Sequence, residues 1–298
     1  MSSVWFYAYC VTMKAYQPVI IIGAARSGTK MLRNVLTQLP GFGTWPCDEI
    51  NAIWRHGNCG WPDDEFGPEL ATATVQAFIR RAFGRLAEQQ TLTHVVEKTC
   101  ANSLRVGFVN RVLPQAYFVH IVRDGRDVVV SAQRRWQARP DWRYVLRKAR
   151  FVPVVDLRYY ATRFLWNQMA RLTSGEQRLA FWGPHFAGME QVRRQYSLAE
   201  VCALQWQRCV TRADCDLGRI EPERVYRLYY ETFVTRPDVE LLRLGAFLQT
   251  SISEPLARKV VQDVTAGRIG RWHTELAPKT LSVVAPLLQE TLKRHGYC

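Results

Sequence analysis

The sequence lacks the marks of several protein classes. No two of its eight cysteines (Cys10, Cys47, Cys59, Cys100, Cys202, Cys209, Cys215 and Cys298) have C-x-x-C spacing. A chain of 298 residues buries enough surface to fold without a disulfide scaffold, so reduced thiols are expected. Cys47, His56 and Cys59 come nearest to a metal-ligand set, and no metal is expected there. No apolar run reaches the ~18–20 residues of a membrane span. The early apolar patch Val4–Thr12 has no basic stretch before it and Lys14 after it. A non-secretory start and a soluble, cytoplasmic protein are therefore expected. There is no internal repeat and no Ser/Gly/Pro-rich linker, so residues 1–298 read as one domain, with about 1–17 as an N-terminal extension. Acidic residues are few: 26 Asp and Glu against 40 Lys and Arg leave a net charge of +14. Such a balance implies an anionic partner, whether nucleic acid, membrane surface, polyanion or small phosphorylated ligand.

What is present has the rhythm of alternating strands and helices. Val19–Ile22 is a run of four β-branched residues ended by Gly23, the signature of a strand buried on both faces. Met31, Leu32, Val35, Leu36 and Leu39 then follow at helical spacing. Further strands are predicted at 93–97, 116–122, 178–183 and 224–231. Helices are predicted after Asp124, from Ser197 (an N-cap whose capping box Glu200 completes), from Pro237, and over 279–295. The pattern predicts an α/β fold of P-loop type, with three layers and a central, mainly parallel β-sheet flanked by helices. Residues 123–150 hold nine Lys/Arg against three Asp/Glu, with Trp136, Trp142 and Tyr144 between them. Basic residues interleaved with aromatics also mark nucleic-acid surfaces, but a solvated helix face accounts for them.

Two segments carry the chemistry. Gly23-Ala-Ala-Arg26-Ser27-Gly28-Thr29-Lys30 lies between the first strand and the first helix. A helix N-terminus there offers unpaired N–H groups to phosphate or sulfate oxygens. Gly28 lets the backbone approach the anion, Arg26 and Lys30 add charge, and Ser27 and Thr29 add hydroxyls. A Walker A loop would read G-x4-G-K-[ST], whereas here the lysine is displaced by one. Asp124, the carboxylate after the 116–122 strand, is flanked by Arg123 and Arg126 and is a poor magnesium ligand. The second segment is Arg123 at a strand end with Ser131 eight residues on, a pair able to grip one phosphate; an Arg123–Asp127 ion pair is the simpler alternative.

Together these segments resemble the sulfotransferases, over roughly residues 18–297. Gly23–Lys30 looks like their 5′-phosphosulfate loop, and Arg123 with Ser131 like their 3′-phosphate motif. The resemblance implies 3′-phosphoadenosine 5′-phosphosulfate (PAPS) as co-substrate, its 3′,5′-bisphosphate PAP as product, and no requirement for a metal. Tyr229-Tyr230-Glu231, with Thr232 where aspartate is usual, resembles the family's Tyr-Glu-Asp strand, which implies that Tyr230 contacts the nucleotide. Gly267–Trp272 resembles the late Gly/Arg loop that closes over the donor, with Arg268 the better choice for the 3′-phosphate than Arg271. The family's Lys-Thr-His segment reads Glu97-Lys98-Thr99-Cys100 here, so a histidine base is missing. The Glu-Lys-Thr form is similar to that of the heparan-sulfate 3-O-sulfotransferases, whose base is a glutamate after the first helix; tyrosylprotein sulfotransferases also place one there. That implies Glu49 as general base, with Asp48 as alternative, and Lys98 and Arg26 at the sulfuryl group.

The expected partner is a glycan or small-molecule acceptor, with no nucleic acid. Residues of about 136–196 are expected to cover its cleft. His120 is expected in the core, and His185 and His273 are weak cleft candidates. A P-loop kinase and a non-catalytic nucleotide- or polyanion-binding module are the alternative readings.

Overall fold

The fold is that of a computed structural model, which describes residues 16–137, 152–156, 162 and 182–297. Among the described residues five strands form one sheet: β1 (Gln17–Ile22), β2 (Phe42–Gly43), β3 (His94–Glu97), β4 (Tyr117–Val122) and β5 (Val225–Tyr229). Their order is β2-β3-β1-β4-β5, and every pairing is parallel. The sheet is therefore wholly parallel, as the β-branched run of β1 implies.

Both faces are covered. Val19–Ile22 are fully buried, and alternation divides them between two cores. Ile20 and Ile22 pack with α2 (Asn51–Trp54), α3 (Ala73–Gln89) and α4 (Val106–Val112). Val19 and Ile21 pack with α1 (Thr29–Leu36) and with three helices that follow β5. These are α8 (Tyr230–Thr235), α9 (Pro237–Phe247) and α10 (Glu254–Val260). Burying each such side chain stabilises the fold by roughly 1.5–3 kcal/mol. A third core joins α5 (Gly125–Trp136), α6 (Met189–Gln195), α7 (Leu198–Leu217) and α12 (Pro278–Arg294) around Trp136 and Trp206. A single turn, α11 (Trp272–Glu275), precedes α12. α7 starts with the expected capping box: Ser197 accepts from the Glu200 N–H, and the Glu200 carboxylate accepts from the Ser197 N–H.

Two expectations need correction. The strand predicted over 224–231 stops at Tyr229, and Tyr230 and Glu231 open α8. The Glu231 carboxylate accepts from the Asp124 N–H (3.1 Å), which turns it toward the end of β4. Of the strand predicted over 178–183, residues 178–181 lie outside the described residues, and Trp182 and Gly183 are not in a strand. Most of the 136–196 segment also lies outside them. Among the described residues, no helix is long and apolar enough to cross a membrane.

Candidate active site

The parallel sheet brings three chain segments to one edge. The carboxyl ends of β3, β1 and β4 are consecutive in the sheet, about 5 Å apart. They deliver Lys98, the 23–30 loop and Arg123, in that order.

In the central segment, Gly28 stands at the N-terminus of α1 with φ 92°, a left-handed conformation that favours glycine. A Cβ there would lie 2.5 Å from Cδ2 of Tyr230, so the glycine also lets that ring close on the loop. α1 has no side-chain cap and no acidic residue in its first turn. Its N-terminal dipole is left for an outside anion. The Ser27 hydroxyl is fully buried and has no hydrogen-bond partner among the described residues. Such a group costs about 1–3 kcal/mol unless a ligand satisfies it.

On the β4 side the loop borders a cavity of 280 Å³. Six arginines line it (Arg26, Arg123, Arg134, Arg135, Arg268 and Arg271), together with Ser131 and a single carboxylate, Asp127. That carboxylate is committed elsewhere: it accepts from the N–H groups of Gly270 (2.9 Å) and Trp272 (3.0 Å) and from Arg123 (3.3 Å). Arg26 takes a left-handed backbone (φ 74°) and donates from Nε to the Ser131 hydroxyl at 2.9 Å. Burial, and then the charges of Arg268, Arg135 and Arg123, lower its pKa from the ordinary value. Cations held this close are stable together only opposite an anion. Arg123 lies over the Tyr230 ring (4.3 Å) and donates to the carbonyls of Arg26 (3.3 Å) and Arg268. Its buried Nε has no hydrogen-bond partner among the described residues. Glu275 partly neutralises Arg134 (2.8 Å) and Arg271 (2.7 Å).

On the β3 side Lys98 is buried, with Nζ 3.0 Å from Glu49 and 3.6 Å from Asp48. Burial opposes its charge, but the Glu49 and Asp48 carboxylates prevail and hold its pKa above the ordinary lysine range. Glu49 also accepts from the Cys100 N–H (3.3 Å), while Asp48 pairs with Arg33 (3.2 Å) and Lys30 (3.7 Å). The Cys100 thiol lies 3.6 Å from the Thr29 hydroxyl, and burial pushes its pKa up to about 12, so it is not a thiolate at neutral pH. Behind this layer, Glu97 accepts from Thr99 (2.5 Å) and Asn102 (3.0 Å), and Thr99 accepts from the Ile50 N–H (3.2 Å). The Ile50 backbone, adjacent to Glu49, is thus tied to the end of β3.

Residues 18–178 match the sequence model of the Sulfotransferase family. The chain belongs to the sulfotransferase family. Three solved structures share its fold. The sulfotransferase domain from the curacin biosynthetic pathway has 14% identity and a TM-score of 0.53, covering 93% of this chain and 98% of that one. The sulfotransferase domain of the Synechococcus PCC 7002 olefin synthase has 17% identity and a TM-score of 0.53, covering 94% and 96%. Sulfotransferase STF9 from Mycobacterium avium has 14% identity and a TM-score of 0.52, covering 94% and 77%. No curated protein matches the sequence.

In this sulfotransferase the residues singled out by sequence fall into two adjoining groups. Arg26 joins Arg123, Ser131 and Arg268 at the cavity, and Tyr230 lies between Gly28 and Arg123. Glu49 and Lys98 meet on the other side of the loop. Lys30 is largely exposed and leans toward Asp48. The Arg123–Asp127 ion pair, the alternative reading of that segment, also forms (3.3 Å). Arg271 lines the cavity as well as Arg268. Sequence reasoning passed over Arg134 and Arg135. Their signal was helical spacing: Asp127, Ser131 and Arg134/Arg135 recur at i+4 and i+3/i+4, on one face of α5. His120 is buried in β4, where burial drives its pKa down to about 4, and it is not among the site residues. His185 donates its backbone N–H to the Asp64 carboxylate (2.9 Å) and accepts the Asp64 N–H on its carbonyl (2.6 Å), and His273 stacks on Trp272 (3.6 Å). Among the described residues, no three His, Cys, Asp or Glu side chains form a group able to hold a metal, and His56 pairs instead with Asp156 (2.7 Å).

Proposed function

We propose that this sulfotransferase moves the sulfuryl group of PAPS to a hydroxyl, or an amine, of a carbohydrate, glycolipid or small metabolite. One observation carries the reading: an unsatisfied phosphate loop stands between a six-arginine cavity and a buried Lys98–Glu49 pair. A donor with a 5′-phosphosulfate and a separate 3′-phosphate needs this order of sites. The start of α1, with Ser27, Gly28, Thr29 and Lys30, holds the 5′ side. Arg123, Ser131, Arg268 and Arg26 hold the 3′-phosphate, and Tyr230 lies against the nucleotide.

PAPS supplies an electrophilic sulfur and a phosphate leaving group. Glu49 takes the proton of the acceptor O–H as its oxygen bonds to sulfur. The bond from sulfur to the phosphate oxygen breaks, and the departing oxygen keeps the electron pair. Lys98 and the N–H groups at the start of α1 face the charge that builds there and neutralise it without a metal, while the Arg26 side chain, expected at the sulfuryl group, turns instead to Ser131 on the 3′ side. Arrival of the sulfuryl group gives Lys98 a second anion to pair with, which loosens its hold on Glu49.

The test is a labelled-donor assay across candidate acceptors, with and without EDTA. Sulfuryl transfer should persist in EDTA; no sulfuryl transfer, with phosphoryl transfer from ATP that EDTA abolishes, would favour a magnesium-dependent kinase instead. Glu49→Gln should lower kcat by about 100-fold or more while PAP affinity stays close to wild type. Unchanged turnover in that variant would remove Glu49 as the base.

A further inference from the structure

On the outer side of the arginine cavity, four residues close a ring of hydrogen bonds. The Tyr297 hydroxyl donates to Glu231 Oε2 at 2.6 Å. Glu231 Oε1 accepts from the Asp124 N–H at 3.1 Å. The Asp124 carboxylate caps α5 by accepting from the Arg126 N–H (2.9 Å) and also holds the Arg126 guanidinium (3.0 and 2.8 Å). Arg126 Nη2 returns to the Tyr297 carbonyl at 2.9 Å. A segment 171 residues away in sequence is thereby tied to the first turn of α5.

The ring continues into the loop that roofs the cavity. The Arg126 guanidinium lies over the Trp272 ring at 4.1 Å. The Trp272 and Gly270 N–H groups donate to Asp127, one residue beyond Arg126 on α5. The same loop carries Arg268 and Arg271 into the cavity, while α5 carries Ser131, Arg134 and Arg135. Arg126 thus touches both walls but is not among the residues lining the cavity.

We propose that Tyr297 and Arg126 are positioning residues for the 3′-phosphate side of the donor site, setting the 268–271 loop against α5. The proposal rests on the PAPS reading above and adds two residues that the family motifs do not include. Burial, followed by Glu231, raises the Tyr297 pKa, so the phenol remains a hydrogen-bond donor at neutral pH. The phosphate loop is built by β1 and α1, and no hydrogen bond among the described residues joins it directly to the ring. Loss of the ring should therefore weaken contacts to the 3′-phosphate and leave the 5′ side alone.

The experiment is calorimetric titration of PAP and of 5′-AMP, which lacks the 3′-phosphate, into the full chain. Tyr297→Phe should weaken PAP roughly 3- to 10-fold, the scale of one charge-assisted hydrogen bond acting at second hand, with 5′-AMP unchanged. Trp272→Ala should do the same, and Trp272→Phe, which keeps a ring under Arg126, should restore PAP affinity. A merely structural role would weaken both nucleotides together or lower the melting temperature alone, and either outcome overturns the proposal. So does full PAP preference in Tyr297→Phe. If wild-type protein itself shows no preference for PAP over 5′-AMP, the donor reading fails first.

Discussion

Glu97 illustrates how a residue behind the Lys98–Glu49 pair is held in tension. Thr99 and Asn102 each donate to its carboxylate and favour the ionised form. Burial prevails, and the pKa rises from 4.5 to about 7. Between these values the folded chain keeps a proton that the unfolded chain has released. Folding stability must therefore fall as pH rises across that window and level off above it. Glu97→Gln removes this titration. Its stability relative to wild type should climb by about 2–3 kcal/mol from pH 4.5 to pH 8, measured by urea unfolding. The glutamine amide also loses one acceptor, an offset that does not depend on pH, so the slope is the diagnostic; a flat difference would contradict the buried carboxyl. Gly28 is constrained by geometry rather than charge. Its φ of 92° and the Tyr230 ring 2.5 Å from a notional Cβ leave no room for a side chain. Gly28→Ala should lower stability by about 1–3 kcal/mol and weaken PAP binding, and a variant with unchanged melting temperature and affinity would refute that constraint.

At the scale of elements, α5 is the organising piece. Its exposed face carries Ser131, Arg134 and Arg135 to the cavity, and Asp127 fastens the 270–272 backbone to it. Asp127→Asn keeps the shape but places an amide N–H₂ where one of two backbone donors must be accepted. Steady-state kinetics should show the KM for PAPS rising about tenfold, with the acceptor KM unchanged. An equal rise in both would show that Asp127 serves the whole cleft. Much of this architecture is legible in sequence where one signal dominates. Val19–Ile22 can be little else than a doubly buried strand, and the Ser197/Glu200 box fixes the start of α7. Legibility fails where tertiary contacts decide. β2 is two residues long and exists because Phe42 and Gly43 pair with β3. Tyr230 continues the aromatic pattern of β5, yet Glu231 turns toward Asp124 and helix begins. The roles of Thr99 and Arg135 depend on what lies across from them, which spacing alone does not reveal.

For the whole molecule, the net charge of +14 includes six arginines gathered around one cavity at the carboxyl end of a parallel sheet. The sheet order places the loop between the two charged flanks, and Arg26 and Arg123 make that placement continuous: Arg123 donates to the Arg26 carbonyl at 3.3 Å, and Arg26 reaches Ser131. Electrostatic attraction of this kind is screened by salt. Raising ionic strength should weaken PAP more steeply than 5′-AMP, and parallel slopes would argue against a separate 3′-phosphate site.

The central claim is that one bisphosphorylated nucleotide touches both the turn at Ser27 and the pocket at Arg123. Titrating PAP and 5′-AMP into wild type and Arg123→Ala tests it most directly. The account requires PAP to bind wild type about 100-fold or more tighter than 5′-AMP, from several charge-assisted hydrogen bonds, and Arg123→Ala to erase most of that margin without altering 5′-AMP. Equal affinities in wild type, or a margin untouched by Arg123→Ala, would contradict it.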